Sequence, residues 1–294
     1  MTRAHSPTYA RHGMVATSQT IASQVGVEIL QQGGSAVDAA IAANAMLSLA
    51  EPYMCGPGGD LFAIVWDPNV GALAGLNASG RSPQRLSYAM MCDALGAANT
   101  IPGRGPLSLC VPAAVDGWCA LHGRYGRLPL QEVFAPAVYY ARDGVSIAKR
   151  TAEHWTFSAH AVLEDPTLVG LTAPFREAFL IGGLPPRAGQ TYRNADLANT
   201  FEAIGEGGRK SFYEGAIARK IIEYLGSLNT AFSSADFTMS HFNWVAPLTT
   251  SYRGYDVYEL PPNGQGITVL QMLNVLEGYP LGDFGPNSAD YWHA

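Results

Sequence analysis

Charge is scarce in this sequence. Only 14 % of its 294 residues are Asp, Glu, Lys or Arg, where about a quarter is ordinary for a globular protein. Two explanations fit: a large interior, or a surface that faces another chain. The 18 basic residues against 24 acidic ones give a formal charge of −6. That balance supplies no cationic footprint for phosphate backbones or anionic lipid, so neither nucleic acid nor membrane is an expected partner. Cysteine is also sparse. Cys55, Cys92, Cys110 and Cys119 form no C-x-x-C pair and no Cys/His cluster of zinc-like spacing, so no metal and no cofactor is expected. No apolar run reaches transmembrane length, and MTRAHSPTYARHGMVATSQT at the start lacks an apolar signal-peptide core. The expected location is therefore cytoplasmic.

The usual catalytic signatures are missing too. His5, His12, His122, His154, His160, His241 and His293 show no H-x-x-x-H or H-x-H spacing, and no G-x-S-x-G elbow occurs. That argues against a common Ser-His-Asp hydrolase. Gly56-Pro57-Gly58-Gly59-Asp60 precedes a strand-like run. It satisfies neither the G-x-x-x-x-G-K-[ST] pattern nor a strand–G-x-G-x-x-G–helix context, which excludes a nucleotide loop. Thr249-Thr250-Ser251 could offer a nucleophile only if the chain were cut before a threonine. A β-prone run feeding the strand at 255–260 is the better reading.

What is present concentrates between Gly33 and Arg81. Gln19 to Gln32 has helical spacing of Ile21, Val25, Ile29 and Leu30 and is stopped by Gly33-Gly34. Ser35 with Asp38 three residues on forms a capping-box pattern. The following helix, Ala36 to about Leu49, carries six alanines and no charge after Asp38, which predicts a helix sandwiched between layers. Residues 61–66 (LFAIVW) do not alternate, so this strand is expected to be buried on both faces. The turn 67–71 leads to a return strand, 72–76. Further expectations are a short strand at 13–18 and helices at 88–95, 113–122 and 130–142. An irregular proline-rich stretch follows at 165–194, then two helices within 197–224 joined at 205–208. A strand at 255–260 and a helix at 267–277 complete the reading. No repeat, linker or clean boundary appears, so residues 1–294 are expected to form one domain.

Two places could touch a ligand. The Gly58-Gly59-Asp60 turn reads either as a tight glycine turn or as a pocket wall whose N–H groups form a nest. Asp60 would cap that turn or accept from a bound amine. Arg81, after Gly80 at the end of the hairpin, is either an ordinary surface arginine or a fork for a carboxylate. Asn77 and Ser79 stand ready to orient it.

The chain resembles the large-subunit part of the gamma-glutamyltranspeptidase family. The resemblance is carried by AxQxGxEILxxGGSAVDAAIAAN (Ala22–Asn44), EPYMCGPGGDLF (Glu51–Phe62), LNASGRSP (Leu76–Pro83) and VPAAVDGWCALHGRYGRLPLQEVFAPAVYYARDG (Val111–Gly144). SFYEGAIARKI (Ser211–Ile221) and YRGYDVYELPPNGQGITVLQMLNVLEG (Tyr252–Gly278) extend it over nearly the whole length, in order. It implies an α+β fold, a four-layer αββα sandwich of the N-terminal-nucleophile hydrolase type. It further implies a precursor that cleaves itself and a catalytic threonine at the new N-terminus of a small subunit. No catalytic residue is then expected in this chain. Arg81 aligns with the arginine that grips the substrate carboxylate, and the turn at Gly58, Gly59 and Asp60 would line the pocket. The expected partners are the small subunit and a small amide substrate, in an assembly that could be a dimer of heterodimers. The GPGGD and SGRSP contexts resemble the amidohydrolase and acylase members more than the glutathione enzymes. The contrasting expectation is an inert structural subunit that never meets a nucleophile.

Overall fold

The computed structural model describes residues 7–98, 100–168, 170–285 and 287–293. Among them, twelve helices and seven strands alternate irregularly, as an α+β chain does. The helices are α1 (Thr20–Gln31), α2 (Ala36–Ala50), α3 (Tyr88–Leu95), α4 (Ala114–Tyr125), α5 (Leu130–Asp143), α6 (Lys149–Leu163), α7 (Thr172–Phe179), α8 (Ala195–Tyr213), α9 (Ala216–Ser227), α10 (Ser234–Thr238), α11 (Gly266–Glu277) and α12 (Ala289–His293). The strands are β1 (Leu61–Asp67), β2 (Ala72–Ala78), β3 (Val145–Ser146), β4 (Thr191–Tyr192), β5 (Asn243–Val245), β6 (Leu248–Tyr252) and β7 (Tyr255–Glu259).

Helix α2 lies at the centre of the core. Its capping box forms as the sequence predicts, Ser35 Oγ accepting from Asp38 N–H and Asp38 accepting from Ser35 N–H. Ala39, Ala42, Ala43 and Ala45 are buried while Ala36 and Ala40 stay exposed. Small side chains let α1, α4 and α5 approach closely, which is what an alanine-rich helix is suited to. Behind it, Trp118 of α4, Phe134 of α5 and Phe201 of α8 form an aromatic cluster with centroids 5.5–6.2 Å apart. Trp118 also donates from Nε1 to Asn44 Oδ1 at 2.9 Å, so the buried indole keeps its polar partner.

Asp38 does more than cap. It is fully buried, and its Oδ2 also accepts from Arg127 N–H at 2.8 Å and Leu128 N–H at 3.3 Å. One carboxylate thus fastens the start of α2 to the α4–α5 connection. Asp38→Ala should lower stability by about 2 kcal/mol, the scale of a lost cap with stranded buried donors. Denaturant unfolding checks this, and Asp38→Asn should recover part of the loss.

The central sheet has the order β1-β2-β5, all antiparallel. The β1–β2 register runs from Leu61 opposite Ala78 to Asp67 opposite Ala72. One face, with Leu61, Ala63, Val65 and Leu76, packs against helices. The other carries Phe62, Ile64 and Trp66, which are 42 %, 40 % and 59 % exposed. This corrects the expectation that β1 is buried on both faces. The apolar composition is right, but the layer that would cover the outer face is not supplied by the described residues of this chain. The β6–β7 hairpin closes through Arg253 and Gly254, both at positive φ, the backbone that suits a two-residue turn between twisted strands.

Other elements depart from the expectations. Residues 13–18 form no strand, since nothing among the described residues pairs with them. Helix α6 occupies a stretch for which the sequence offers no element, and α7 lies within the stretch expected to be irregular. In α6 the buried stripe is Thr151, Ala152, Trp155 and Ala159, where three small or polar residues conceal the apolar period. The 197–224 region breaks twice: at Gly208, whose φ of 57° and ψ of −146° interrupt α8, and at Glu214 and Gly215 between α8 and α9. Among the described residues no helix is long and apolar enough to cross a membrane.

Candidate active-site half

The end of β2 builds the candidate site. Asn77 Oδ1 accepts from Ser79 N–H at 3.1 Å, a local turn that ends the strand,. Gly80 follows at φ +77°, and a Cβ there would lie 2.2 Å from the Val111 carbonyl oxygen. Only glycine fits this close crossing. Arg81 then emerges with its backbone held by Val111, whose N–H donates to Arg81 O at 2.9 Å. Its side chain is exposed and donates from Nη2 to Asn243 Oδ1 at 3.5 Å.

Asn243 is the first residue of β5 and sits directly opposite Asn77. A third asparagine comes from the turn between β7 and α11. Asn263 Oδ1 accepts from Asn77 Nδ2 at 2.8 Å and from Ser79 Oγ at 3.4 Å. The turn can reach the sheet because Gly75 is bare. A Cβ at Gly75 would stand 2.6 Å from Leu260 Cδ2. Thus Asn77, Asn243 and Asn263 gather beside Arg81 on the open face of the sheet. Asn77 stands close to Arg81 in the sequence; Asn243 and the turn residue Asn263 carry no local signal that links them to it.

The Arg81 loop is anchored from beneath. Gln84 N–H donates to Asp236 Oδ1 at 2.8 Å. Further down, Asp116 is 1 % exposed. Its Oδ1 accepts from Arg209 Nε at 2.8 Å and its Oδ2 from His241 N–H at 2.6 Å. Arg209 also donates to the carbonyls of Thr238 and Met239 and lies over the Tyr213 ring at 4.8 Å. This network fixes the segment that leads into Asn243.

His241 is buried there, 3 % exposed, with neither ring nitrogen hydrogen-bonded among the described residues. Burial, first, holds its pKa below the ordinary histidine value; the guanidiniums of Arg209 and Arg81 act in the same direction, against the Asp116 carboxylate and the nearby Asp236 backbone. A histidine depressed in the folded state stays neutral while the unfolded chain takes up a proton. Its contribution to stability is therefore present above about pH 6.5 and declines as pH falls below that value. Replacing His241 by Gln should flatten the dependence of unfolding free energy on pH just below 6.5, measured by denaturant titration at stepped pH.

The glycine turn occupies a different place. Gly59 O accepts from Ala113 N–H at 2.9 Å and Ala114 N–H at 3.0 Å, and Gly59 N–H donates to Gly56 O at 3.1 Å. The turn therefore presents a carbonyl to the start of α4, and Gly59 has no N–H left for an anion. Gly58 and Gly59 line a pocket of about 460 Å³ with Phe179 and Leu197, while Asp60 lines another of about 390 Å³ with Asn44 and Trp118. Arg81 lines neither. The two regions communicate through residues 111–114, which bond to Arg81 on one side and Gly59 on the other.

No side chain in this arrangement is an activated nucleophile. Burial pushes the Cys119 thiol up to about 12, and burial followed by the Glu51 carboxylate raises Cys55, the reverse of what a reactive thiolate needs. Among the described residues, histidine rings hydrogen-bond only to Leu128 O and Glu164, so none serves a Ser, Thr or Cys. What the end of β2 does present is an exposed guanidinium among carboxamides on an open sheet face.

The chain belongs to the gamma-glutamyltranspeptidase family, whose model matches residues 22–294. It is 34 % identical to the Glutathione hydrolase-like YwrD proenzyme of Bacillus subtilis, over 95 % of this chain and 51 % of that protein. The crystal structure of Helicobacter pylori gamma-glutamyltranspeptidase superposes with a TM-score of 0.87 at 28 % identity, covering 98 % of this chain and 81 % of that one. That of cephalosporin acylase from Bacillus halodurans gives 0.86 at 34 % identity, covering 98 % and 54 %. The α+β fold of the N-terminal-nucleophile hydrolases is thereby established. The chain spans about half the length of the curated relatives it matches.

Proposed function

We propose that this chain is the large-subunit portion, residues 1–294 as one domain, of a self-processing threonine-dependent amidohydrolase acting on a small carboxylate-bearing amide. Arg81 carries this reading: an exposed cation at the end of a sheet strand, in a chain whose described side chains include no activated nucleophile. The nucleophile would be the N-terminal threonine of a small subunit cut from the same precursor, its α-amine acting as base. Arg81 would bind the carboxylate bidentately and hold the scissile carbonyl at the threonine. Attack would expel the amine and leave an acyl-enzyme, which water or an acceptor amine resolves. Gly58, Gly59 and Asp60 would form a more distant wall. The open apolar face at Phe62, Ile64 and Trp66 supports the same reading, since a bare patch of this kind marks an interface. So does the description of similar proteins as proenzymes of roughly twice the length.

The substrate is proposed only as a class. A glutathione γ-glutamyl transferase or hydrolase and a cephalosporin acylase are the nearest competing activities, because proteins bearing both kinds of name resemble this chain at similar identity. Intact mass of the expressed full gene product tests the core of the proposal. Two fragments, the second beginning with threonine, are expected; a single uncut polypeptide would favour an inert structural subunit. Hydrolysis of γ-glutamyl anilide, glutaryl-cephalosporin and oxamate by the matured protein would then separate the substrate classes.

A further inference from the structure

We infer that Asn263 is a direct contact for the substrate carboxylate and sets the preference for acidic acyl groups. The inference rests on Arg81 holding that carboxylate and adds the turn between β7 and α11 to the same subsite.

The hydrogen-bond chain fixes which way each carboxamide faces. Ser79 N–H can only donate, so the Asn77 atom that meets it at 3.1 Å is the oxygen. Asn77 Nδ2 is then the donor to Asn263, whose facing atom must be Oδ1. Ser79 Oγ donates to that same oxygen. Both lone pairs of Asn263 Oδ1 are thereby engaged, and its NH₂ group has no protein partner among the described residues. The same logic applies at Asn243: a guanidinium is donor-only, so Asn243 Oδ1 faces Arg81 and its NH₂ is left over,.

Among these carboxamides Asn263 is the one with only donors unspent, since Asn77 Oδ1 and Asn243 Oδ1 each accept one bond and keep a second lone pair,. A carboxylate offers about four acceptor sites, of which a guanidinium fork fills two. The others need donors from a second direction. Asn263 comes from such a direction, because its turn lies over the sheet at Gly75 while Arg81 rises from the strand end. The position is also rigid: Leu260 is seated on Gly75, and Asn263 is tied to Asn77 and Ser79. A donor held in this way discriminates strongly, since an uncharged analogue leaves it poorly matched.

The test is calorimetric binding of glutarate, L-glutamate and oxamate, with uncharged glutaramide as control, to the matured full-length protein. Asn263→Ala should weaken the acid that the wild type binds best by about 10-fold. Asn263→Asp, which adds a like charge, should weaken it more, by on the order of 100-fold. Glutaramide binding should be unchanged in both. In combination with Arg81→Ala the losses should be less than additive, as for two groups on one anion. Asn263→Ser, a residue at home in turns, provides a second variant if alanine impairs maturation. Wild-type affinity in the Asn263 variants alongside a loss in Arg81→Ala would overturn the inference and leave the Arg81 reading intact. Equal loss of acid and glutaramide would reduce Asn263 to a structural role. Failure of the wild type to bind any of the three acids, or indifference to Arg81→Ala, would sink both.

Discussion

Replacing Arg81 by alanine should lower kcat/KM of the matured protein by about 100-fold on a carboxylate-bearing amide, while self-cleavage proceeds normally. The magnitude follows from the type of contact. A charge-assisted bond that leaves its anion unpaired when removed is worth roughly 2–5 kcal/mol, and about 2.7 kcal/mol is a factor of 100. The variant should fold, because Arg81 is exposed and, among the described residues, its side chain makes a single long bond, to Asn243. Its unfolding free energy should shift by less than about 0.5 kcal/mol. Arg81→Lys keeps the charge but loses the planar fork, so it should recover only part of the activity. Steady-state kinetics on all three proteins, with intact mass as the maturation control, measures this. Unchanged kinetics in Arg81→Ala would remove this residue from the site.

The second large effect is on stability. Asp116→Ala should cost about 3–5 kcal/mol, the range for breaking a buried ion pair from one side. The carboxylate is 1 % exposed and joins three segments: α4, α8 through Arg209, and the chain before β5 through His241 N–H. Its loss strands a donor of Arg209 and a buried backbone N–H together. Arg209 is a quarter exposed and can take water, which places the expectation at the lower end of that range. The midpoint of thermal unfolding should fall by on the order of 5–10 °C. Asp116→Asn, which keeps an acceptor, should lose less. A change within about 0.5 kcal/mol would show that the network contributes nothing net. Because the segment from Met239 to His241 leads into Asn243, activity should fall as well, through misplacement of Arg81 rather than loss of a contact to substrate.

Much of the helical framework could be read directly. The capping box at Ser35 and Asp38, the alanine run of α2 and the hairpin turn at Asp67–Gly71 are local patterns, and local backbone chemistry decides them. The strand β1 shows where such reading stops. LFAIVW is apolar throughout, which suits two covered faces, yet one face is open here because no described residue of this chain packs over Phe62, Ile64 and Trp66. Helix α6 was missed because Thr151 and two alanines stand in its buried stripe, and small or polar residues carry little periodic signal.

The sequence by itself determined the family, much of the helical framework and the cation at the end of β2, because motifs and caps are encoded within a few residues of one another. Only the tertiary structure decided what surrounds that cation. Asn263 lies 186 residues from Asn77, Asn243 lies 162 from Arg81, and Arg209 lies 93 from Asp116. Contacts of that span leave no mark on local composition or period. They exist because a bare glycine lets one turn settle on the sheet and a buried carboxylate draws three segments together.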